Sequence, residues 1–386
     1  MTFDDAYWQA QRLAQVGRYE EAERIARDGL AADPQDARLL TLLASVLRLR
    51  REYASALLTV TAAIEAAPHS ADAHAERAEC LLLLIRSKEA VEAATEAVRL
   101  APNDPAGHLV LARALASTRD YDRARQVAAY GLSMAPRSVE ALLTVADVER
   151  DAGNREAATA AAQAALAIDP ENAYGRWLIA MLDAERLNVR RSMRGLRDVA
   201  RDNPARPDLI SMTWPIRGVL SGLRRGLAVG ALLVCACLIA GHWWTHAVTF
   251  ARILSAVLAA VLAGFTARVL LPAGKLPWRC LPLLPPLMRR ANIAGLAVVA
   301  VAVLFLVAHS VTGGWGWALA ALLLAPVLWG LSWLELLSAG FDDPGYRQAF
   351  RDLAGEFREW WQTTKKDLRE AWSDTPKPPD RNGDHR

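Results

Sequence analysis

His242 and His246 stand one helical turn apart, and an i, i+4 imidazole pair can ligate a metal or a haem iron. His309 ends a later apolar run at the same expected membrane side. A second set, His74 and His108 with His69 nearby, recurs at equivalent positions of a repeat. Neither set has a carboxylate or thiolate at a matching position, and a metal site draws on three or four donors. No metal or cofactor is therefore expected. Glu335 lies in an apolar run, where a carboxylate costs a few kcal/mol unless paired or near water. Counted from the inner ends of their runs, Glu335 and Arg268 fall at similar depths and are expected to pair; a proton or ion pathway is the alternative. Cys80, Cys235, Cys237 and Cys280 form neither a Cys-x-x-Cys motif nor a disulfide framework. The sequence holds no phosphate-cradling loop, nucleophile elbow or His-Glu-x-x-His motif, and Gly313-Gly314-Trp315-Gly316 lacks a basic partner. No enzyme is expected.

The elements that carry these residues divide into two halves. Prolines fall at Pro34, Pro68, Pro102, Pro136, Pro170 and Pro204, every 34 residues. Twenty-four residues before each proline lies an alanine: Ala10, Ala44, Ala78, Ala112, Ala146 and Ala180. Twelve residues before lie Ala22, Ala56, Ala90, Ala124, Ala158 and Ser192. Small residues at two fixed phases imply two helices whose backbones approach closely. Tyr19, Tyr53 and Tyr121 recur near the turn between them, and Gly17 supplies the left-handed backbone such a turn needs. The proline stops each second helix and suits the start of the next.

This pattern resembles the tetratricopeptide repeat over residues 3–206, six units. The family's tryptophan position holds Ala6, Leu40, His74, His108, Leu142 and Arg176 instead, and the sixth unit is degenerate at Leu187, Val189 and Ser192, as suits a terminal cap. The resemblance implies that the first helix of each unit lines a concave groove for a protein or peptide. By position the lining would comprise Tyr7, Gln11, Arg38, Thr41, Ser45, Arg48, Glu79, Leu109, Arg113, Leu143, Asp147, Trp177 and Met181. The lysine–asparagine clamp of chaperone-binding members is absent: Tyr7, Gln11 and Ser45 hold its positions. Arginines early and apolar groups late suit a peptide with an acidic and an apolar end.

Beyond Pro207 the texture changes, with 53% of the whole chain hydrophobic and eleven of its 13 tryptophans in this part. Four apolar runs, 226–248, 249–271, 291–311 and 315–337, each approach the ~20 residues that cross a hydrocarbon core. The second carries Arg252 and Arg268. Residues 207–225 read as a basic juxtamembrane linker with Arg217, Arg224 and Arg225, while Lys275, Arg279, Arg289 and Arg290 occupy the loop between the second and third runs. The other connections lack lysine and arginine, so both termini are expected in the cytoplasm. Trp243, Trp244, Trp315 and Trp317 would mark the outer interface, Trp214 and Trp278 the inner. Arg186, Arg190, Arg194, Arg197 and Arg201 recur at helical spacing on the unit that closes the repeats, either as a solvated face or against anionic headgroups. After Asp342-Asp343-Pro344, an amphipathic helix is expected over 342–373 and a disordered tail over 374–386.

The expectation is an all-α chain: a helical-hairpin solenoid, a four-helix transmembrane region and a C-terminal amphipathic helix. Met1–Asp5 has neither a basic start nor an apolar core, so no signal peptide is expected before the repeats. A net charge of +3 does not argue for nucleic acid, and no small-molecule substrate is expected. The chain reads as a multi-pass membrane scaffold whose partners are a groove-binding protein or peptide and the bilayer. The alternative is a regulatory or assembly subunit of a transport or envelope complex.

Overall fold

The computed structural model describes residues 3–202, 209–240 and 245–342, with the isolated positions 358, 361, 362 and 365. Every regular element among them is helical. The N-terminal part consists of six antiparallel pairs: α1 (Phe3–Gln15) and α2 (Tyr19–Leu30), α3 (Ala37–Leu49) and α4 (Tyr53–Ala66), α5 (Ala71–Leu83) and α6 (Ser87–Leu100), α7 (Pro105–Ser117) and α8 (Tyr121–Met134), α9 (Val139–Asp151) and α10 (Arg155–Ile168), α11 (Ala173–Glu185) and α12 (Val189–Asp202).

Local chemistry sets these boundaries. Asp36, Ser70, Asp104, Ser138 and Asn172 cap α3, α5, α7, α9 and α11, each accepting from a backbone N–H two or three residues on. Each cap stands two residues past a ladder proline, so one short segment ends a helix and starts the next. The reversal inside each pair falls on Gly17, Arg51, Ile85, Arg119, Gly153 and Leu187, all left-handed with φ from 57° to 83°. At each, the following N–H bonds back five residues, as from Arg86 to the Leu81 carbonyl at 2.9 Å. Only two of the six are glycines. The alanines of both ladders are buried throughout, with Ser192 completing the second ladder, and Tyr53 is buried beside its turn.

The C-terminal part contains α13 (Leu209–Met212), α14 (Trp214–Ala240), α15 (Thr245–Ala273), α16 (Leu276–Cys280) leading into a 3-10 turn (Leu281–Leu283), α17 (Pro286–Thr312) and α18 (Trp315–Asp342). Three are long and apolar enough to cross a membrane: α14, α15 over Val248–Ala273, and α17. The described apolar stretch of α18 is shorter, Trp315–Leu331, so the described residues present three long apolar helices and one shorter rather than four alike. The supposed linker 207–225 is helical where described, because Trp214 opens α14 and carries Arg217 and Arg225 onto the helix. The 342–373 helix and the 374–386 tail fall almost entirely outside the described residues.

α14 packs on α15 and α18, and α17 on α15 and α18. Gly222, Gly226 and Gly230 form a small-residue ridge on α14 that receives Phe265, Leu262 and Leu258 of α15; a Cβ at Gly222 would lie 2.9 Å from the Phe265 ring. One hydrophobic core continues from Ala180, Val189, Met193 and Leu196 of the last repeat through Ile216 and Leu223 of α14 to Met288 of α17. The last repeat is thus packed directly onto the bundle.

Candidate functional site

The groove forms where the first helices of successive repeats face inward. Tyr7, Arg38, Thr41, Ser45, Arg48, Glu79 and Arg113 line one cleft of about 320 Å³, as their positions in the repeat predict. Ser70, Asp72, Glu76, Asp104 and Glu140 line it too, and sequence reasoning missed them. Asp72 and Glu140 share the repeat phase of Arg38, so that signal was available.

The charges of the cleft are arranged in pairs. Arg48 donates from Nε and Nη2 to the two carboxylate oxygens of Glu76, at 2.6 and 3.1 Å. Arg113 pairs with Glu79 and lies 4.0 Å from Glu140. Burial is the largest single influence on Arg48 and works against its charge, but the bond and the charge of Glu76, with Glu79 and Cys80, together outweigh it and hold the guanidinium above its ordinary value. Burial pushes the Glu76 carboxyl up, opposed by Arg48, and pushes the neighbouring Cys80 thiol up as well. Arg38 sits 4.5 Å over the Tyr7 ring. Five carboxylates line the cleft against three arginines. Arg48 and Arg113, two of those three arginines, are already engaged by Glu76 and Glu79.

The later residues also depart from expectation. Leu109 and Leu143 are buried in the inter-helix core. Leu109 fills the notch at Gly131, where a Cβ would come within 3.1 Å of it, and Leu143 with Leu166 borders the notch at Gly175, at 3.4 and 3.0 Å from such a Cβ. The glycines on neighbouring helices, not the residues' own phase, decide this. Gln11 lies half-buried on α1 outside the cleft lining. The Tyr174 hydroxyl donates to Asp147, 2.7 and 2.9 Å from its two oxygens, and Arg150 pairs with the same carboxylate at 3.3 Å. Burial pushes the Asp147 carboxyl up against the Tyr174 bond. Tyr174 stacks on Trp177 at 5.4 Å. Trp177 Nε1–H donates to Ser211 Oγ at 3.2 Å, and Met181 packs against the shared core. Trp177 and Met181 therefore belong to the joint with the bundle rather than to an open groove.

The histidines take structural parts where they are described. His74 and His108 each donate from Nε2 to the carbonyl of the proline six residues back, Pro68 at 3.0 Å and Pro102 at 2.9 Å. His309 is buried, its Nδ1 donating to the Gly314 carbonyl at 3.0 Å. His242 and the side chain of His246 lie outside the described residues, as does the side chain of Glu335, so the Arg268–Glu335 pair does too. Arg268 itself is exposed on α15 and faces Arg190, Arg191 and Arg194 of α12 across a cleft. Arg252, near the opposite end of α15, donates from Nε and Nη2 to the Ser310 and Val311 carbonyls, at 3.0 and 2.7 Å. Both charges of the second apolar run thus sit near helix ends, about 24 Å apart along the axis. Arg190, Arg194 and Arg197 line the same junction, whereas Arg186 bonds the Arg155 carbonyl at 3.0 Å away from it. Arg201 and Arg225 are exposed, Arg217 is half-buried, and the Arg224 side chain is not described.

A family model described as tetratricopeptide repeat matches residues 7–68, 50–105 and 109–173. Among solved structures, the chain is similar to a thermophilic tetratricopeptide protein of Thermus thermophilus, with 20% identity over 47% of this chain and 98% of that one at a TM-score of 0.44. It is also similar to PilF of Pseudomonas aeruginosa, with 18% identity over 53% of this chain and 93% of that one at a TM-score of 0.40. A third is YrrB, described as having an unusual peptide-binding site, with 22% identity over 43% of this chain and 86% of that one at a TM-score of 0.33. None of the curated proteins matches significantly. The 34-residue hairpins, their two buried small-residue ladders and the family match agree: the N-terminal part of the chain is built of tetratricopeptide repeats, and three long apolar helices follow in its C-terminal part.

Proposed function

We propose that the protein is a non-enzymatic, multi-pass membrane scaffold whose repeat groove holds a segment of a protein partner close to the inner leaflet. The observation that carries this is the continuous core between the last repeat and the apolar bundle. A solenoid packed in this way presents its groove at a set distance and angle from the membrane, which suits recruitment to a membrane site. In this reading α14, α15, α17 and α18 are four spans and both termini are cytoplasmic. Arg217, Arg225, Arg268, Lys275 and Arg279 stand at the solenoid end of the helices, as the positive-inside rule asks of a cytoplasmic face. The acidic balance of the cleft favours a partner segment carrying basic side chains opposite Asp72, Asp104 and Glu140.

Two measurements test it. In a background with all four cysteines replaced, Thr312→Cys should react with a membrane-impermeant maleimide in intact cells, and Arg24→Cys only after permeabilisation; the reverse pattern overturns the orientation. Crosslinking in native membranes followed by mass spectrometry should capture a protein that Asp104→Lys with Glu140→Lys releases. Unchanged capture by that variant would remove the groove from the interaction.

A further inference from the structure

The joint between solenoid and bundle gathers seven basic side chains around two clefts. Two adjoining clefts, of about 600 and 480 Å³, share Arg190, Arg194 and Pro272. Arg190, Arg191, Arg194 and Arg197 come from α12, Arg268 from α15, Lys275 from the turn into α16 and Arg279 from α16 itself. No aspartate or glutamate is among the residues lining either cleft. Among the described residues, no carboxylate lies within 4 Å of Arg190, Arg194, Arg268, Lys275 or Arg279. Elsewhere on the solenoid most arginines pair with a carboxylate, as Arg48, Arg113, Arg125, Arg150 and Arg155 do. Seven like charges converge here from two parts of the chain; Arg191 reaches Asp183 at 3.9 Å and Arg197 reaches Asp198 at 3.7 Å, so the protein relieves their mutual repulsion only in part.

We propose that this joint is a binding site for the phosphate headgroup of an anionic lipid, held between the last repeat and the solenoid-proximal ends of the membrane helices. The inference rests on the membrane reading above. Phosphate oxygens are the acceptors that arginine forks match best. Met193, Pro272 and Leu276 give the larger cleft an apolar wall that continues into the spanning helix α15, as an amphiphile needs and a free anion does not. Arg268 and Lys275 bracket the end of α15, where a spanning helix leaves the hydrocarbon for the headgroup layer. A bound headgroup would cross-link α12 to α15 and stiffen the attachment of the groove.

The purified full-length protein, reconstituted into nanodiscs of purely zwitterionic lipid or of lipid mixed with phosphatidylglycerol or cardiolipin, tests this by native mass spectrometry of retained lipid. Anionic lipid should be retained at least about tenfold over zwitterionic lipid. The triple change Arg190→Gln, Arg194→Gln, Lys275→Gln should abolish that preference. Removing the same charge from exposed repeat positions, Arg24→Gln, Arg51→Gln, Arg137→Gln, should leave it intact. Equal retention of both lipid classes by the unaltered chain, or a preference that survives the first triple change, overturns the assignment. Full competition by inorganic phosphate at the concentration of a short-chain anionic lipid overturns the lipid in favour of a soluble anion. Loss of capture only when an acidic protein is added would assign the charge to a protein partner instead. A chain that stays soluble without detergent and enters neither kind of disc overturns the membrane reading itself, whereas one that enters both without preference overturns the headgroup site alone.

Discussion

Trp214 Nε1–H donates to Ser192 Oγ at 3.0 Å. Ser192 stands on the twelfth residue before the ladder proline, where the five preceding repeats carry alanine. The departure that reads from sequence as degeneracy of a terminal unit is the attachment point of the first long apolar helix. A hydroxyl replaces a methyl at the one repeat whose outer face meets the bundle instead of another repeat.

Ser192→Ala should therefore loosen this joint. It leaves a half-buried indole N–H without its acceptor, at a cost of about 1–2 kcal/mol. Trp214→Phe combined with Ser192→Ala removes both partners and should cost less than the sum of the single changes. Thermal unfolding of the full chain in detergent, run as a double-mutant cycle, reads the coupling; strict additivity would show that the bond contributes nothing.

Ile85 adopts φ of 61° at the turn of the third repeat and is exposed. A β-branched side chain there clashes with its own backbone, whereas glycine does not. Ile85→Gly should stabilise by about 1 kcal/mol, less whatever the added freedom of the unfolded chain takes back. The expected rise in midpoint is roughly 2–4 °C. Gly153→Ile, at the equivalent turn, should lower it.

Glu76 is buried and its charge is tolerated through Arg48. Arg48→Gln strands that carboxylate and should destabilise by about 3 kcal/mol at neutral pH. In the variant the folded-state pKa stands further above the unfolded one. The penalty is then full above the folded pKa and fades as the pH falls towards the ordinary carboxylate range, where both states hold the proton. Unfolding midpoints of variant and parent should converge between neutral pH and about pH 4.5. A constant gap would mean that lost packing, not stranded charge, sets the cost.

Gly230 meets Leu258 closer than any Cβ could. Gly230→Leu should force α14 from α15, at about 1–3 kcal/mol for an overpacked contact. Cysteine crosslinking between the two helices should slow, while Gly316→Leu, in open space, should leave it unchanged.

Repetition made most of the solenoid legible. One proline ladder and two small-residue ladders fix period, hairpin and buried face, because identical units must stack identically. The cap ladder from Asp36 to Asn172 was equally readable, two residues beyond each proline. The left-handed turns were not, because Arg51, Ile85, Arg119 and Leu187 carry no local preference for that backbone; the docking of each helix pair imposes it. Hydropathy likewise announced the apolar helices; it does not show that the first helix already begins at Trp214 and carries Arg217 and Arg225 before its apolar run.

By itself the sequence determined that the chain folds as repeated helical hairpins followed by long apolar helices, since period and hydropathy are properties of local pattern. Only tertiary structure decided which charges are spent. Arg48 and Glu76 stand 28 residues apart and neutralise each other, while Arg194, Arg268 and Arg279 come from separate helices to line adjoining clefts that no carboxylate lines. Charge acts through distance in space, and the chain reveals that distance only once its helices have packed.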